Sequence, residues 1–244
     1  MTQNGTAART DGATKIYGKG DATVTALNDV TVAFGRGQFT AIMGPSGSGK
    51  STLLHCLAGL DVLSSGQTFI GDTELGSLTE KNLTLLRREK VGFIFQAFNL
   101  IPTLNASENI GLPLAIAGES PDAAWRDQVI DTIGIRDRLS HKPSELSGGQ
   151  QQRVAAARAL VSRPEIIFAD EPSGNLDSTS GSELLGFMRA AVDDFGQTIV
   201  MVTHDAHAAA YADRVVFLQD GRVVHEMMDP TSDAILDHLK SLEG

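Results

Sequence analysis

The run Gly44-Pro45-Ser46-Gly47-Ser48-Gly49-Lys50-Ser51, followed by Thr52, constrains this chain more than any other stretch. It fits the phosphate-cradling spacing G-x-x-x-x-G-K-[ST]. Apolar residues 39–43 precede it, and Leu53, Leu54, Cys56 and Leu57 follow at helical spacing, so the expected context is strand, loop, helix. Glycines let backbone N–H groups close around a phosphate where a Cβ would stand in the way. The helix that follows directs its positive N-terminal end at the same anion. Lys50 can then reach the β- and γ-phosphates, and Ser51 can offer its hydroxyl to Mg²⁺. An ordinary glycine-rich turn has no need of Gly-Lys-Ser at a helix start.

The rest of the composition bounds this reading. A length of 244 residues suits one large domain or a domain with a lobe, and 41% apolar residues can supply a core. The net charge is 20 − 30 = −10, which argues against a nucleic-acid binder that relies on a general basic surface. Cys56 is the one cysteine, so no internal disulfide can form, and its place on the apolar side of the helix reads as a core thiol. The N-terminus has no apolar run of signal-peptide type, and no apolar stretch reaches the roughly 18 residues of a membrane span. Cytoplasm is the expected compartment.

In chain order, residues 1–10 are small and polar and are expected to be loose. Residues 15–20 and 24–34, the latter broken by Asn28-Asp29, predict short antiparallel strands. Gly59 is expected to end the helix after the phosphate loop, and residues 67–70 to form an edge strand. Ser77-Leu78-Thr79-Glu80 has the form of a capping box opening a helix through about residue 88. Residues 91–95 predict a strand ending at Gln96. From 97 to about 161 the segments look helical, without a convincing strand, punctuated by Pro102, Pro113, Pro121 and Pro143: an inserted helical lobe. It closes with Leu146-Ser147-Gly148-Gly149-Gln150 and a helix striped by Val154, Ala157, Leu160 and Val161. Buried strands are expected at 165–169 and 198–202, with a helix ended by Gly196 between them. A hairpin follows around Asp220-Gly221, then a short amphipathic helix over 229–244.

Apolar strands alternating with helices imply an α/β fold with a mainly parallel sheet covered on both faces. Ligands in such sheets sit off the carboxyl ends of the strands, where the phosphate loop, Gln96, Asp170-Glu171 and His204 all fall. Asp170 can hold Mg²⁺ through its waters, and Glu171 can polarise a water for attack on a γ-phosphate. Gln96 could complete the metal shell through its carbonyl oxygen, and His204 could bond the γ-phosphate. His204 and His207 lie three apart, but no third ligand argues for zinc. Ser147-Gly148-Gly149-Gln150 is a second glycine-rich entry to a helix, hence a second anion site. Because the phosphates of one nucleotide are already held by residues 44–51, the simplest resolution is a dimer in which each chain caps the other's nucleotide.

Those residues together resemble the ATP-binding cassette ATPases. Leu146 to Gln150 is similar to the family's signature motif, residues 44–51 to its Walker A loop, and Asp170 to the end of Walker B. The resemblance implies a P-loop NTPase fold: a RecA-like core over about 11–96 and 162–228, an N-terminal antiparallel subdomain, and a helical lobe over about 97–161. It implies that Tyr17 stacks on adenine, that Gln96 is the Q-loop glutamine and that Glu171 is the catalytic glutamate. It further implies that Gly174-Asn175-Leu176-Asp177 is the D-loop and His204 the switch histidine. ATP and Mg²⁺ would be the cofactors. Ser51, Gln96 and Asp170 would surround the metal, and Lys50, Glu171 and His204 would act in catalysis.

The runs from Phe95 to Leu104, from Gln150 to Ala155 and from Gly174 to Ser178 are similar to one branch. Its members serve lipoprotein release, macrolide export, antimicrobial-peptide resistance and cell division beside FtsX-like permeases. Ser173 stands where that branch usually has Thr. The resemblance implies a homodimer in the ATP-bound state, powering a separate permease from the inner face of the membrane. The alternative is a nucleotide-gated scaffold of cell-division type that does not transport. DNA-repair and ribosome-associated cassettes carry coiled-coil insertions or paired cassettes, which this length does not accommodate.

Overall fold

The computed structural model describes residues 5–120 and 122–243. Strands β1 (Thr6–Tyr17) and β2 (Val24–Gly35) pair antiparallel over nearly their full length. With β4 (Ser65–Ile70) and β5 (Thr73–Glu74) they make a sheet of order β2-β1-β4-β5. The expectation of a loose start fails from Thr6 onward. Ala7 and Ala8 are fully buried, because small side chains suit a strand pressed against the core. Asn28-Asp29 does not break β2. Asp29 takes φ +56° where the β1–β2 register shifts, so the strand continues through an irregularity. β4 is not an edge strand, since the two residues of β5 cover its outer side.

The second sheet has the order β10-β9-β3-β8-β7-β6. Its members are β3 (Phe39–Met43), β6 (Val91–Phe95), β7 (Ile166–Asp170), β8 (Ile199–Val202), β9 (Arg214–Gln219) and β10 (Arg222–Met228). All neighbours run parallel except β9 and β10, which are joined by Asp220-Gly221 at φ +49° and +72°. Those two positive φ values are what a tight two-residue hairpin requires. Alternate residues of each strand serve opposite cores. Ala41, Met43, Ile167, Ala169, Met201 and Phe217 meet one helical layer. Ile42, Ile166, Phe168, Val200, Val202 and Val216 meet helix α1 (Lys50–Leu57) and the antiparallel sheet.

Helix α2 (Glu80–Lys90) is capped by Thr79, whose hydroxyl accepts the Asn82 N–H at 3.3 Å. The expected Ser77–Glu80 box does not form, because the Ser77 hydroxyl donates to Glu74 O and closes the preceding turn instead. Between β6 and β7 lie α3 (Ala106–Ala117), α4 (Ala123–Ile133) and α5 (Gly148–Leu160), with no strand among the described residues. Pro113 sits inside α3 rather than ending it, and Pro121 lies outside the described residues. After β7 come α6 (Ser178–Phe195), ended by left-handed Gly196, then α7 (Ala206–Ala209) and α8 (Ser232–Glu243). No helix among the described residues is long and apolar enough to cross a membrane.

Candidate functional site

The phosphate loop spans the C-terminal end of β3 and the start of α1. Gly44 takes φ +147°, and a Cβ there would lie 1.9 Å from Leu218 O; Gly49 takes φ +99° with a Cβ 2.2 Å from Ala26 O. Backbone from two neighbouring segments therefore presses so close that only glycine fits at either place. Gly49 caps α1 without a side-chain hydrogen bond, and the first turn carries no acid. The leading N–H groups of α1 are thus left for an external anion. Lys50 arches back over the loop, donating to Gly44 O at 2.9 Å and Pro45 O at 2.8 Å. Burial lowers its pKa, opposed by the Glu171 and Asp170 charges.

Beside Lys50, the Ser51 hydroxyl donates to Asp170 Oδ1 at 3.1 Å, and His55 Nε2 lies 3.5 Å from Asp170 Oδ2. A hydroxyl and a carboxylate meeting at the helix start are hard oxygen donors of the kind Mg²⁺ accepts alongside phosphate oxygens. No group of three or more His, Cys, Asp or Glu among the described residues could hold a metal by itself. Gln96 does not join this pair. Its Nε2 donates to Asn175 Oδ1 at 3.2 Å, and Asn175 Nδ2 returns a bond to Gln96 O at 3.2 Å. In this arrangement the side chain ties the end of β6 to the loop after β7.

Glu171 follows β7 and precedes Pro172. Its φ of +46° is rare for a side-chain-bearing residue, and more so before proline. Its N–H donates to Val202 O at 2.9 Å, and its carbonyl accepts from the Gly174 N–H at 3.0 Å. Its Oε1 lies 3.0 Å from Nδ1 of His204, which stands exposed past β8. A strained backbone held from both sides is how a fold fixes one side chain's direction. Tyr17, at the end of β1, keeps its ring exposed while its hydroxyl donates to Asp61 Oδ2 at 2.6 Å. Lys15 Nζ bonds the other oxygen of that carboxylate at 2.6 Å.

Residues 44–52, Asp170, Glu171 and His204 thus lie at the strand ends of one sheet, with Tyr17 at the end of the neighbouring β1. Residues 147–150 do something different. Ser147 caps α5 in a reciprocal box with Gln150, its hydroxyl accepting the Gln150 N–H while Gln150 Oε1 accepts the Ser147 N–H. Gly148 is exposed, whereas Gly149 is buried so close to α6 that a Cβ would lie 2.6 Å from Ser180 Oγ. Asp177 caps α6 through the N–H groups of Thr179 and Ser180 and the Ser180 hydroxyl. The hydrogen bonds from Ser180 hold its carboxyl below the usual range. Both caps face solvent, and within one chain neither meets the phosphate loop through any hydrogen bond found among the described residues.

Three residues without an expected role shape the surroundings. Gln152 is fully buried and joins α5 to Phe95 O and Pro172 O. Arg158 donates to Asn99 O at 2.7 Å and Phe98 O at 3.1 Å. Asn109, also fully buried, accepts the Ile101 N–H and donates to Ile101 O, Leu104 O and Asn105 O. The last two pin the segment after Gln96. The signal that could have found them is a polar side chain at a helical position whose neighbours belong to the core.

The sequence profile of the ABC transporter family matches residues 27–174. An uncharacterized ABC transporter ATP-binding protein of Methanocaldococcus jannaschii is 45% identical over 214 residues, covering 86% of this chain and 94% of that protein. The macrolide export ATP-binding/permease protein MacB of Bdellovibrio bacteriovorus is 45% identical over 210 residues, covering 86% of this chain but 32% of that protein. The chain therefore spans about a third of the MacB relatives. Among solved structures, a dimeric ATP-binding cassette of the same archaeon, in a post-hydrolysis state bound to ADP and Pi, aligns with TM-score 0.81 at 39% identity. That alignment covers 91% of this chain and 98% of the other. With the profile over more than half its length and the site residues in one constellation, the chain belongs to the ABC transporter family, as an ATP-binding cassette.

Proposed function

We propose that this chain binds ATP with Mg²⁺ and hydrolyses it between two copies arranged head to tail, driving a separate FtsX-like membrane permease. The observation that carries the reading is the gathering of Lys50, the Ser51–Asp170 pair and the Glu171–His204 pair at the carboxyl ends of adjacent strands. The amides of residues 47–52 and the Lys50 ammonium bind the phosphates, while Tyr17 offers its ring to adenine. Ser51 and Asp170 would hold Mg²⁺, which would supply neutralisation of the phosphate charge. Glu171 accepts a proton from the attacking water. His204, bonded to Glu171, is placed to orient that carboxylate and to donate to the γ-phosphate. Gln96, tied to Asn175, reports to the loop that carries Asp177.

Ser147, Gly148 and Gln150 complete the partner's site, since the exposed α5 N-terminus makes no hydrogen bond to its own chain's phosphate loop among the described residues. The helical lobe and the segment pinned by Arg158 and Asn109, with Ile101 exposed on it, would receive the permease. In this reading the chain sits on the inner face of the membrane beside its permease. The relatives named for macrolide export, which are ATP-binding/permease proteins, support this branch. The test is Mg²⁺-dependent phosphate release by the purified chain, with Lys50→Ala as the comparison. Loss of nucleotide affinity in the variant is expected; equal turnover by both would end the reading.

A further inference from the structure

We propose that Gln152 is a positioning residue that couples the α5 helix to both Gln96 and Glu171. The amide is fully buried, and its Nε2 donates one hydrogen to Phe95 O at 2.9 Å and the other to Pro172 O at 2.6 Å. Because both neighbours are carbonyl acceptors, the NH₂ end must face them, which fixes the amide's orientation. Phe95 is the residue before Gln96, and Pro172 the residue after Glu171. The two strands end side by side, with Phe95 paired to Asp170. Five residues before Gln152 on the same helix start stands Ser147. One side chain therefore ties the helix capped by Ser147 to the two segments that carry Gln96 and Glu171.

Its effect on Glu171 follows from the strain there. Glu171 holds φ +46° ahead of a proline, a conformation that persists only when neighbours over-determine it. Val202 O holds its N–H, the Gly174 N–H holds its carbonyl, and Gln152 holds the next carbonyl along. A displacement of α5 relative to the sheet must lengthen one of the two Gln152 bonds. The peptide after Glu171 and the entry to Gln96 then shift together. Among the described residues Oε1 of Gln152 has no partner, and the two donor bonds are what tie the side chain to the strand ends. The pair of donors is the function.

This rests on the ATPase reading, and the wild-type rate separates the two: no turnover in the wild type ends both, whereas normal turnover in the variants ends this inference alone. The experiment compares wild type, Gln152→Met and Gln152→Glu by steady-state ATP hydrolysis at about pH 6 and about pH 8. Methionine keeps the volume and removes both donors, and it keeps the test readable if the charged variant does not fold. For Gln152→Met, kcat should fall by about tenfold or more at both pH values, with KM for ATP within about twofold. For Gln152→Glu, a carboxylate facing two carbonyls should lose activity at high pH and regain part of it at low pH, where the protonated acid donates one bond. A rise in KM with kcat unchanged, kcat near wild type, or a Gln152→Glu profile parallel to wild type would overturn the proposal.

Discussion

Glu171 is a strained residue to which the proposed mechanism gives the role of base. Its side chain meets His204 while its backbone is gripped by Val202 and Gly174. Glu171→Gln keeps the shape and removes the base, so turnover should drop by about 10²–10⁴. That corresponds to about 3–5 kcal/mol of barrier. ATP affinity should persist, because the phosphate loop is untouched, and size-exclusion chromatography with ATP should show a dimer. Unchanged turnover would remove Glu171 from its role. Cys56 is the opposite case, a residue that packs and does not react. Burial, and then the Asp61 charge, push its thiol up to about 12. At pH 8 only about one molecule in 10⁴ carries the thiolate. A disulfide reagent should therefore label the folded chain at least about a hundredfold more slowly than the urea-unfolded chain, and equal rates would contradict the packing. The placement of both residues was legible, Glu171 past its strand end and Cys56 on its apolar helix face. Gln152 was not, because Gln150, Gln151 and Gln152 are the same residue type in a row and only packing decides which is buried.

At the scale of elements, the parallel strands could be read because long apolar runs leave a strand nowhere to go but the middle of a sheet. The first half of β1 could not. Thr6-Ala7-Ala8-Arg9-Thr10 carries no bulky strand former, and its pairing with β2 and β4 comes from partners far along the chain. Helix α8 was legible as amphipathic, but its attachment was not. The His238 ring packs 4.4 Å from Phe217 and 4.3 Å from His225, with Nε2 buried and without a hydrogen-bond partner among the described residues. Leu242 O accepts from Gln219 Nε2, and Leu242 lines the same cavity as residues 45–48. Burial, and then His225, lower the His238 pKa below 6.5. A His with a depressed folded pKa contributes stability that is present above its unfolded value and is lost as pH falls through the folded one. The Asp237–Lys240 pair lies exposed on the same helix and does not relieve the ring. Amide exchange over 235–242, corrected for intrinsic rates, should therefore quicken between about pH 7.5 and about pH 5.5, and His238→Leu should flatten that response. An unchanged acid response in the variant would assign it elsewhere.

For the whole molecule, the question is why the exposed α5 N-terminus stands apart from the phosphate loop. Within one chain Lys50, Asp170 and Glu171 converge, while the exposed Ser147 cap belongs to a helix whose main neighbours are α3, α4, α6 and β6. Two copies related by a two-fold axis would each supply the other's missing half, so activity should belong to pairs of chains. Turnover per chain should then rise with protein concentration until dimers dominate. Complementation tests the same geometry more sharply. Lys50→Ala removes a chain's own nucleotide grip but leaves its Ser147 intact. Ser147→Arg blocks a chain's seal on its partner but leaves its Lys50 intact. Each variant alone should be inactive, since every site in either homodimer has one damaged half. In an equimolar mixture half of the dimers are mixed, and each mixed dimer holds one site with Lys50 and Ser147 both native, so about a quarter of wild-type turnover should return. Sites confined to single chains would recover nothing on mixing, and that result would leave the exposed α5 N-terminus without a function.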